Sequence, residues 1–277
     1  MSELLPERRL RELAEEHGTP LYVTDLDRVV ERARELLGFD VVRFAQKANG
    51  SLALLSRLAR EGLAVDAVSA GEIVRALRAG FEAGRIVFTS DLFVQESLKL
   101  VARHGLHANL GSADMIEQLA AVCPGAEVTL RVNPGFGHGH AQQVNTGGAT
   151  SKHGIWHAGL EAAIARCHAA DLVVRGLHVH IGSGADGDHL ERVIGAVQGF
   201  LEHAPDSVNT LSAGGGLPIP YRLEDEPFDV ARFVAVWSEA KRRWEEALGR
   251  PFCLEVEPGR FLTAQAGVLL TEVRATK

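Results

Sequence analysis

Lys47 closes the run Val41-Val42-Arg43-Phe44-Ala45-Gln46-Lys47, which puts an amine where a buried strand meets a polar pocket. Lysine is almost never fully buried and keeps its charge in water, so a lysine ending a core strand either points to solvent or has chemical work. Schiff-base formation with a carbonyl compound is one such role. Four further groups stand at comparable positions. His178 and His180 alternate on a strand-like run and share a face, and Ile181-Gly182-Ser183-Gly184 follows them. An inward imidazole can pack against a planar ring while Ser183 bonds a phosphate. Gly214-Gly215-Gly216 offers backbone amides that approach a phosphate closely because no Cβ intervenes, and Gly259-Arg260 adds amide and guanidinium. Glu257 can hold a pyridine nitrogen protonated, although Glu255 shares its face of the strand and competes for the role. Together these residues suit a phosphorylated aromatic cofactor. The alternatives are a tight turn for the glycines, a Glu257–Arg260 ion pair, and core or metal-binding roles for the two histidines. A metal would need a third ligand from His138, His140 or His153, whose spacing is not that of a zinc site, so none is expected.

Positioning these groups requires strands that deliver their ends to one face. Eight β-like runs can be named by those ends: Lys47, Ser69, Ser90, Ser112, Asn133, Ser183, Gly216 and Arg260. The first five are separated by 22, 21, 22 and 21 residues, close to the shortest length that holds a strand, a turn, a helix and a return. This rhythm predicts an α/β fold and a closed (β/α)8 barrel of the TIM type. Leu52, Leu55, Leu58 and Ala59, then Ile73, Leu77 and Phe81, recur at helical spacing and read as core faces. A helix over 6–16 and an extended piece over 20–24 precede the first run. Two longer irregular stretches, 134–156 and 217–228, fall on the carboxyl side of strands, the side that carries the site in such barrels. Residues 1–265 are expected to form the barrel with its amino-terminal extension. Ala266 to Val273 reads as a further strand, and 266–277 as the start of a truncated β-rich domain.

A chain of 277 residues, 46% of them hydrophobic, can bury a large core. Its 29 basic and 36 acidic residues leave no basic surplus for nucleic acid or anionic lipid, and no apolar run approaches a bilayer span. A cytoplasmic protein is expected. Cys123, Cys167 and Cys253 lack paired spacing and read as reduced thiols.

The ordered motifs FAQKAN, DAVSAGE, SKHGI, HVHIGSG, GGGLPIPY and EPGR resemble those of the fold-type III pyridoxal-phosphate decarboxylases, over nearly the whole chain. The resemblance implies a barrel of the alanine racemase/ornithine decarboxylase type and pyridoxal 5'-phosphate as cofactor. It implies that Lys47 bonds the cofactor, His180 stacks on its ring, Ser183, Gly214, Gly215, Gly216, Gly259 and Arg260 hold its phosphate, and Glu257 partners the pyridinium. Asp66, Ser69, Glu72, Arg131, Lys152 and His153 would line the substrate pocket. His153 stands where the family motif more commonly has an aromatic residue, and Gln46 where it has a small apolar one. The loop NPGFGHGH…NTGG…SKHGIW is similar to that of members acting on meso-diaminopimelate, which implies formation of L-lysine. Ornithine, arginine or carboxynorspermidine as substrate, and a barrel-only cofactor-binding or regulatory protein, are the alternatives. In this family the general acid is a cysteine of a carboxy-terminal β-domain acting across a homodimer, so weak or absent turnover is expected of this chain alone.

Overall fold

The computed structural model of the protein describes residues 5–136, 147–148, 151–180, 187–222 and 224–277. Helix α1 (Glu7–His17), strand β1 (Leu21–Thr24) and α2 (Leu26–Arg34) come first. Strands and helices then alternate: β2 (Val41–Ala45), α3 (Leu52–Arg60), β3 (Ala64–Ala67), α4 (Ala70–Ala79), β4 (Ile86–Thr89), α5 (Gln95–His104), β5 (His107–Leu110), α6 (Asp114–Ala120) and β6 (Glu127–Asn133). The second half continues with β7 (Ile155–Trp156), α7 (Leu160–Ala169), β8 (Val173–Val179), α8 (Gly187–Glu202), β9 (Thr210–Ser212), α9 (Val230–Leu248), β10 (Cys253–Val256), α10 (Arg260–Thr263) and β11 (Gly267–Leu270).

Strands β2, β3, β4, β5, β6, β8, β9 and β10 pair in parallel in that order, and β10 returns to β2, so the sheet closes as a (β/α)8 barrel. Each of the eight runs expected from sequence holds one barrel strand. The helical faces follow with one adjustment: α3 buries Leu54, Leu55 and Leu58, whereas Leu52, its first residue, is exposed.

Alternation along the strands separates two interiors. Phe44, Val65, Phe88, Ala108, Leu110, Leu130, Leu177, Leu211 and Leu254 join the apolar cluster shared with the helices. Among the buried polar residues, Arg43, Asp66, Thr89, Asn109, Thr129, His178 and Ser212 are their neighbours in sequence, and they fill the inside of the barrel. Several of these polar side chains satisfy one another across strands. Arg43 makes a two-point ion pair with Glu255, at 2.6 and 3.2 Å. Asn109 Nδ2 donates to Thr89 Oγ1 at 2.8 Å, and His107 Nε2 lies 2.8 Å from Thr129 Oγ1.

Burial, reinforced by the nearby Arg43 guanidinium, pushes the His107 imidazole down to about 4. An unfolded chain protonates this histidine near pH ~6.5, whereas the folded chain does so only near 4, so the unfolded state binds the extra proton first. This group therefore withdraws about 3 kcal/mol of stability as pH falls from about 7 to about 4. Asp66 acts in the opposite sense over the same window, because burial and the neighbouring Glu257 raise its carboxyl to about 7. Chemical denaturation at several pH values isolates the histidine: His107→Gln should show a flatter acid limb than the unsubstituted protein.

The stretch after β6 is tied back to the barrel by Asn133. Its Oδ1 accepts from the Gly135 and Gly148 amides at 3.0 and 2.9 Å, and its Nδ2 donates to the Gly148 carbonyl at 3.1 Å. Gly154 (φ +80°) then lies so close to the β6 backbone that a Cβ would sit 3.0 Å from Asn133 N. At the other end of the chain, β11 pairs antiparallel with β1, Leu21 opposite Leu270 and Thr24 opposite Gly267, as a separate two-stranded sheet. The strand expected over 266–273 is thus present over a shorter span.

Candidate active site

A cleft of about 680 Å³ opens between the carboxyl ends of the barrel strands and the β1–β11 sheet. Lys47 lines it from a single 3₁₀ turn, Gln46–Ala48, that follows β2. The turn is anchored on the inside, where Gln46 is buried and donates from Nε2 to the Glu72 carbonyl at 3.2 Å. Consequently Gln46 faces the protein and Lys47, exposed, faces the cleft. His180, one residue past β8, and Glu257, one past β10, enter from other sides, with Gly216, Gly259 and Arg260 completing the rim.

The glycines are demanded by close approach. A Cβ on Gly215 would overlap the Glu257 carbonyl, and one on Gly259 would lie 3.2 Å from the Cβ atoms of Ala45 and Ala48. Gly214 and Gly216 adopt φ of +65° and +92°, which favour glycine. Two amides of the triple glycine are used internally: Gly214 N donates to Ser212 Oγ and Gly215 N to His180 Nδ1, each at 3.2 Å. Gly216 lines the cleft.

The electrostatics assign the two glutamates different work. Glu255 belongs to the Arg43 pair inside the barrel, while Glu257, 5% exposed, faces His178, His180 and Ser212. Ser212 Oγ donates to Glu257 Oε1 at 3.1 Å. Burial opposes ionisation of Glu257, but His178 and His180 outweigh it and hold the carboxyl well below its usual range. Burial also lowers the His180 imidazole to about 4. A neutral ring agrees with its Nδ1 accepting the Gly215 amide.

The remaining expected residues divide into three places. Asp66, 1% exposed, and Arg131 lie in the polar barrel interior, where the Arg131 guanidinium is lowered by burial while Glu257, Asp91 and Asp66 act to raise it. Ser69 caps α4 by accepting from Glu72 N at 3.2 Å, and Glu72 Oε2 accepts from Val68 N at 2.8 Å, so both serve the helix start. Lys152 and His153 bind Asp91 beyond β4, at 2.8 and 2.6 Å. Ser183 lies outside the described residues, as do His138 and His140. The third group beside His178 and His180 is Glu257 rather than a loop histidine, with ligand atoms within 4.8 Å of one another. Cys123, Cys167 and Cys253 are absent from the cleft, and burial pushes the Cys167 and Cys253 thiols up to about 11. Sequence reasoning missed the wall made by Tyr22, Val23, Thr24, Val268 and Leu269, because it forms only when the first and last strands pair.

The donor set fits a phosphorylated pyridine aldehyde: an exposed amine, an ionised carboxylate, a neutral imidazole, and a glycine-lined rim with a guanidinium that no side chain could crowd further. The barrel, its polar interior and this amine-bearing cleft define a cofactor-binding α/β-barrel. The chain belongs to the pyridoxal-dependent decarboxylases, whose pyridoxal binding domain matches residues 23–264.

Within that family it is similar to diaminopimelate decarboxylases. Identity is 47% with that of Streptomyces coelicolor, covering 97% of this chain and 62% of the relative, and 46% with that of Escherichia coli K12, covering 100% and 66%. A crystal structure of diaminopimelate decarboxylase superposes with a TM-score of 0.95 at 45% identity, covering 100% of this chain and 67% of that one. The Helicobacter pylori enzyme complexed with L-lysine gives 0.85 at 25%, covering 97% and 70%. The chain therefore spans a little under two thirds of the length of these curated relatives. Among the described residues no helix is long and apolar enough to cross a membrane.

Proposed function

We propose that the chain is the cofactor-binding barrel of an enzyme that uses pyridoxal 5'-phosphate to decarboxylate meso-diaminopimelate to L-lysine. The observation that carries the reading is the meeting of Lys47, His180, Glu257 and Arg260 around one glycine-lined cleft. The substrate is supported by the names of relatives 41–47% identical over nearly the whole chain. Lys47 supplies the amine for covalent attachment. Gly216, Gly259 and Arg260 receive the phosphate, together with Gly214, Gly215 and Ser183 on the grounds of the motif. His180 covers the ring as a neutral imidazole. Glu257, ionised, holds a proton at the pyridine nitrogen.

When bound, the cofactor supplies an electron sink for the carbon that loses carbon dioxide. The protein's part is to keep that sink polarised and dry. Glu257 is 5% exposed, and at so buried a position its charge is worth more than in solvent. Asp66, Ser69, Glu72, Arg131, Lys152 and His153 are proposed, on the grounds of the motifs, to shape the space for the amino acid, although none of them lines the cleft itself. We read the cluster His178–His180–Glu257 as part of this pocket and not as a metal centre, because His180 Nδ1 already accepts the Gly215 amide.

Borohydride reduction in the presence of pyridoxal 5'-phosphate, followed by peptide mass spectrometry, tests cofactor binding. The adduct is expected on Lys47, and an unmodified Lys47 would remove the reading. Carbon dioxide release by the complete protein from meso-diaminopimelate, ornithine, arginine and carboxynorspermidine then tests the substrate, with the first expected to dominate.

A further inference from the structure

His178 stands outside the set of groups that line the cleft, yet it is 1% exposed and its Nε2 lies 3.2 Å from Glu257 Oε2. Neither ring nitrogen has a hydrogen-bond partner of good geometry, and Nε2 is the one that approaches the carboxylate. Its place on β8 is between Arg131 of β6 and Ser212 of β9, so the polar floor beneath Glu257 is a row across three strands. Enclosing an imidazole this fully is costly unless it meets a charge. The nearby charge is the Glu257 carboxylate.

That carboxylate has reasons of its own to be neutral. It is 5% exposed, and Asp66, another buried carboxyl, lies within electrostatic reach. Both effects raise a carboxyl's proton affinity. A neutral Glu257 would donate a hydrogen bond where the pyridine nitrogen needs an acceptor. Ser212 Oγ occupies Oε1 with one donated bond, and His180 Nδ1, at 4.0 Å from Oε2, accepts from Gly215. Arg131 of β6 is a cation acting on this group, and Lys47, in the turn after β2, lines the same cleft.

We infer that His178 is a positioning residue that keeps Glu257 ionised by presenting Nε2–H to Oε2 from outside the cleft, so that the carboxylate can hold a proton on the ring nitrogen of the cofactor. The second half of this inference rests on the proposed function; the first half, the coupling of His178 to Glu257, does not. Among the groups that favour the Glu257 carboxylate, His178 contributes most.

The test begins on the cofactor-free protein, with the glutamate carboxyl followed by ¹³C NMR against pH. His178→Leu should raise the proton affinity of Glu257 by about tenfold or more, and His178→Gln, which retains an N–H at the Nε2 position, by less. An unchanged Glu257 titration in His178→Leu overturns the inference whether or not the cofactor binds. With ¹⁵N-labelled pyridoxal 5'-phosphate bound, the ring-nitrogen signal should move from protonated towards unprotonated in His178→Leu and in Glu257→Gln, and stay near its original position in His178→Gln. A protonated ring nitrogen in His178→Leu also overturns it. Should His178→Leu not fold, Glu257→Gln serves by reciprocity: the His178 imidazole must lose proton affinity once the carboxylate is gone, and an unaltered His178 titration refutes the coupling.

Discussion

Lys47→Ala should eliminate the borohydride-trapped adduct and lower turnover of the complete enzyme by on the order of 10²–10⁴-fold, with the fold intact. Among the described residues that line the cleft, Lys47 is the only lysine. Lys152 and Lys241 are held by Asp91 and Asp40, each at 2.8 Å or less. Among the described residues lining the cleft, no second amine is placed to substitute. On the proposed function the lost group is the one that attaches the cofactor, so both trapping and turnover are expected to fall. The side chain is exposed and makes no ion pair that the fold needs, so thermal unfolding should shift by no more than about 0.5 kcal/mol. Mass spectrometry after reduction, the visible absorbance of the mixture and a melting curve give the three readouts. Retention of a reducible adduct in Lys47→Ala would assign the attachment to another residue.

The largest effect on stability should come from Glu255, two residues before Glu257. Its carboxylate and the Arg43 guanidinium have 13% and 7% of their side chains exposed and meet at two points inside the barrel. Removing one member of such a pair leaves the other charge enclosed and uncompensated. Glu255→Ala is therefore expected to cost about 3–5 kcal/mol in urea unfolding. Replacing both members with apolar residues, as in Arg43→Met with Glu255→Leu, should return most of that loss, because no charge is then left buried. Glu257→Gln supplies the contrast: a smaller loss of stability but loss of function, since Glu257 lies in the cleft and Glu255 below it. A double variant as unstable as Glu255→Ala would mean that the surrounding polar residues, not the ion pair, require the charges.

The comparison of these two glutamates marks the boundary of what could be read from residue order. Alternation placed them on one face of one strand, and that was right. It could not tell which of them met a cation, since Arg43 is 212 residues away from Glu255 and comes beside it only when β10 pairs with β2. Asp66 is a similar case. The DAVSAGE motif singled it out, but its carboxyl is raised to about 7 by burial in the closed barrel and, next, by Glu257 arriving from the far end of the chain. Ser69 and Glu72 illustrate the reverse. Their spacing, serine followed three residues later by glutamate, is that of a helix cap, and they make those hydrogen bonds in the fold. The polar barrel interior had a signal that went unread: Arg43, Asp66, His107, Asn109, Thr129 and Arg131 interrupt otherwise apolar strands at every second position.

The order of strand and helix, the glycines at close approaches and the amine, imidazole and carboxylate at strand ends were thus determined by sequence alone, because helix and strand periods and the absence of a Cβ act within a few residues. The Arg43–Glu255 and His178–Glu257 pairings and the cleft wall made by β1 and β11 were decided only by tertiary structure. Coulomb attraction and desolvation depend on distance in space, and residues separated by most of the chain acquire that proximity only when the eighth strand meets the first.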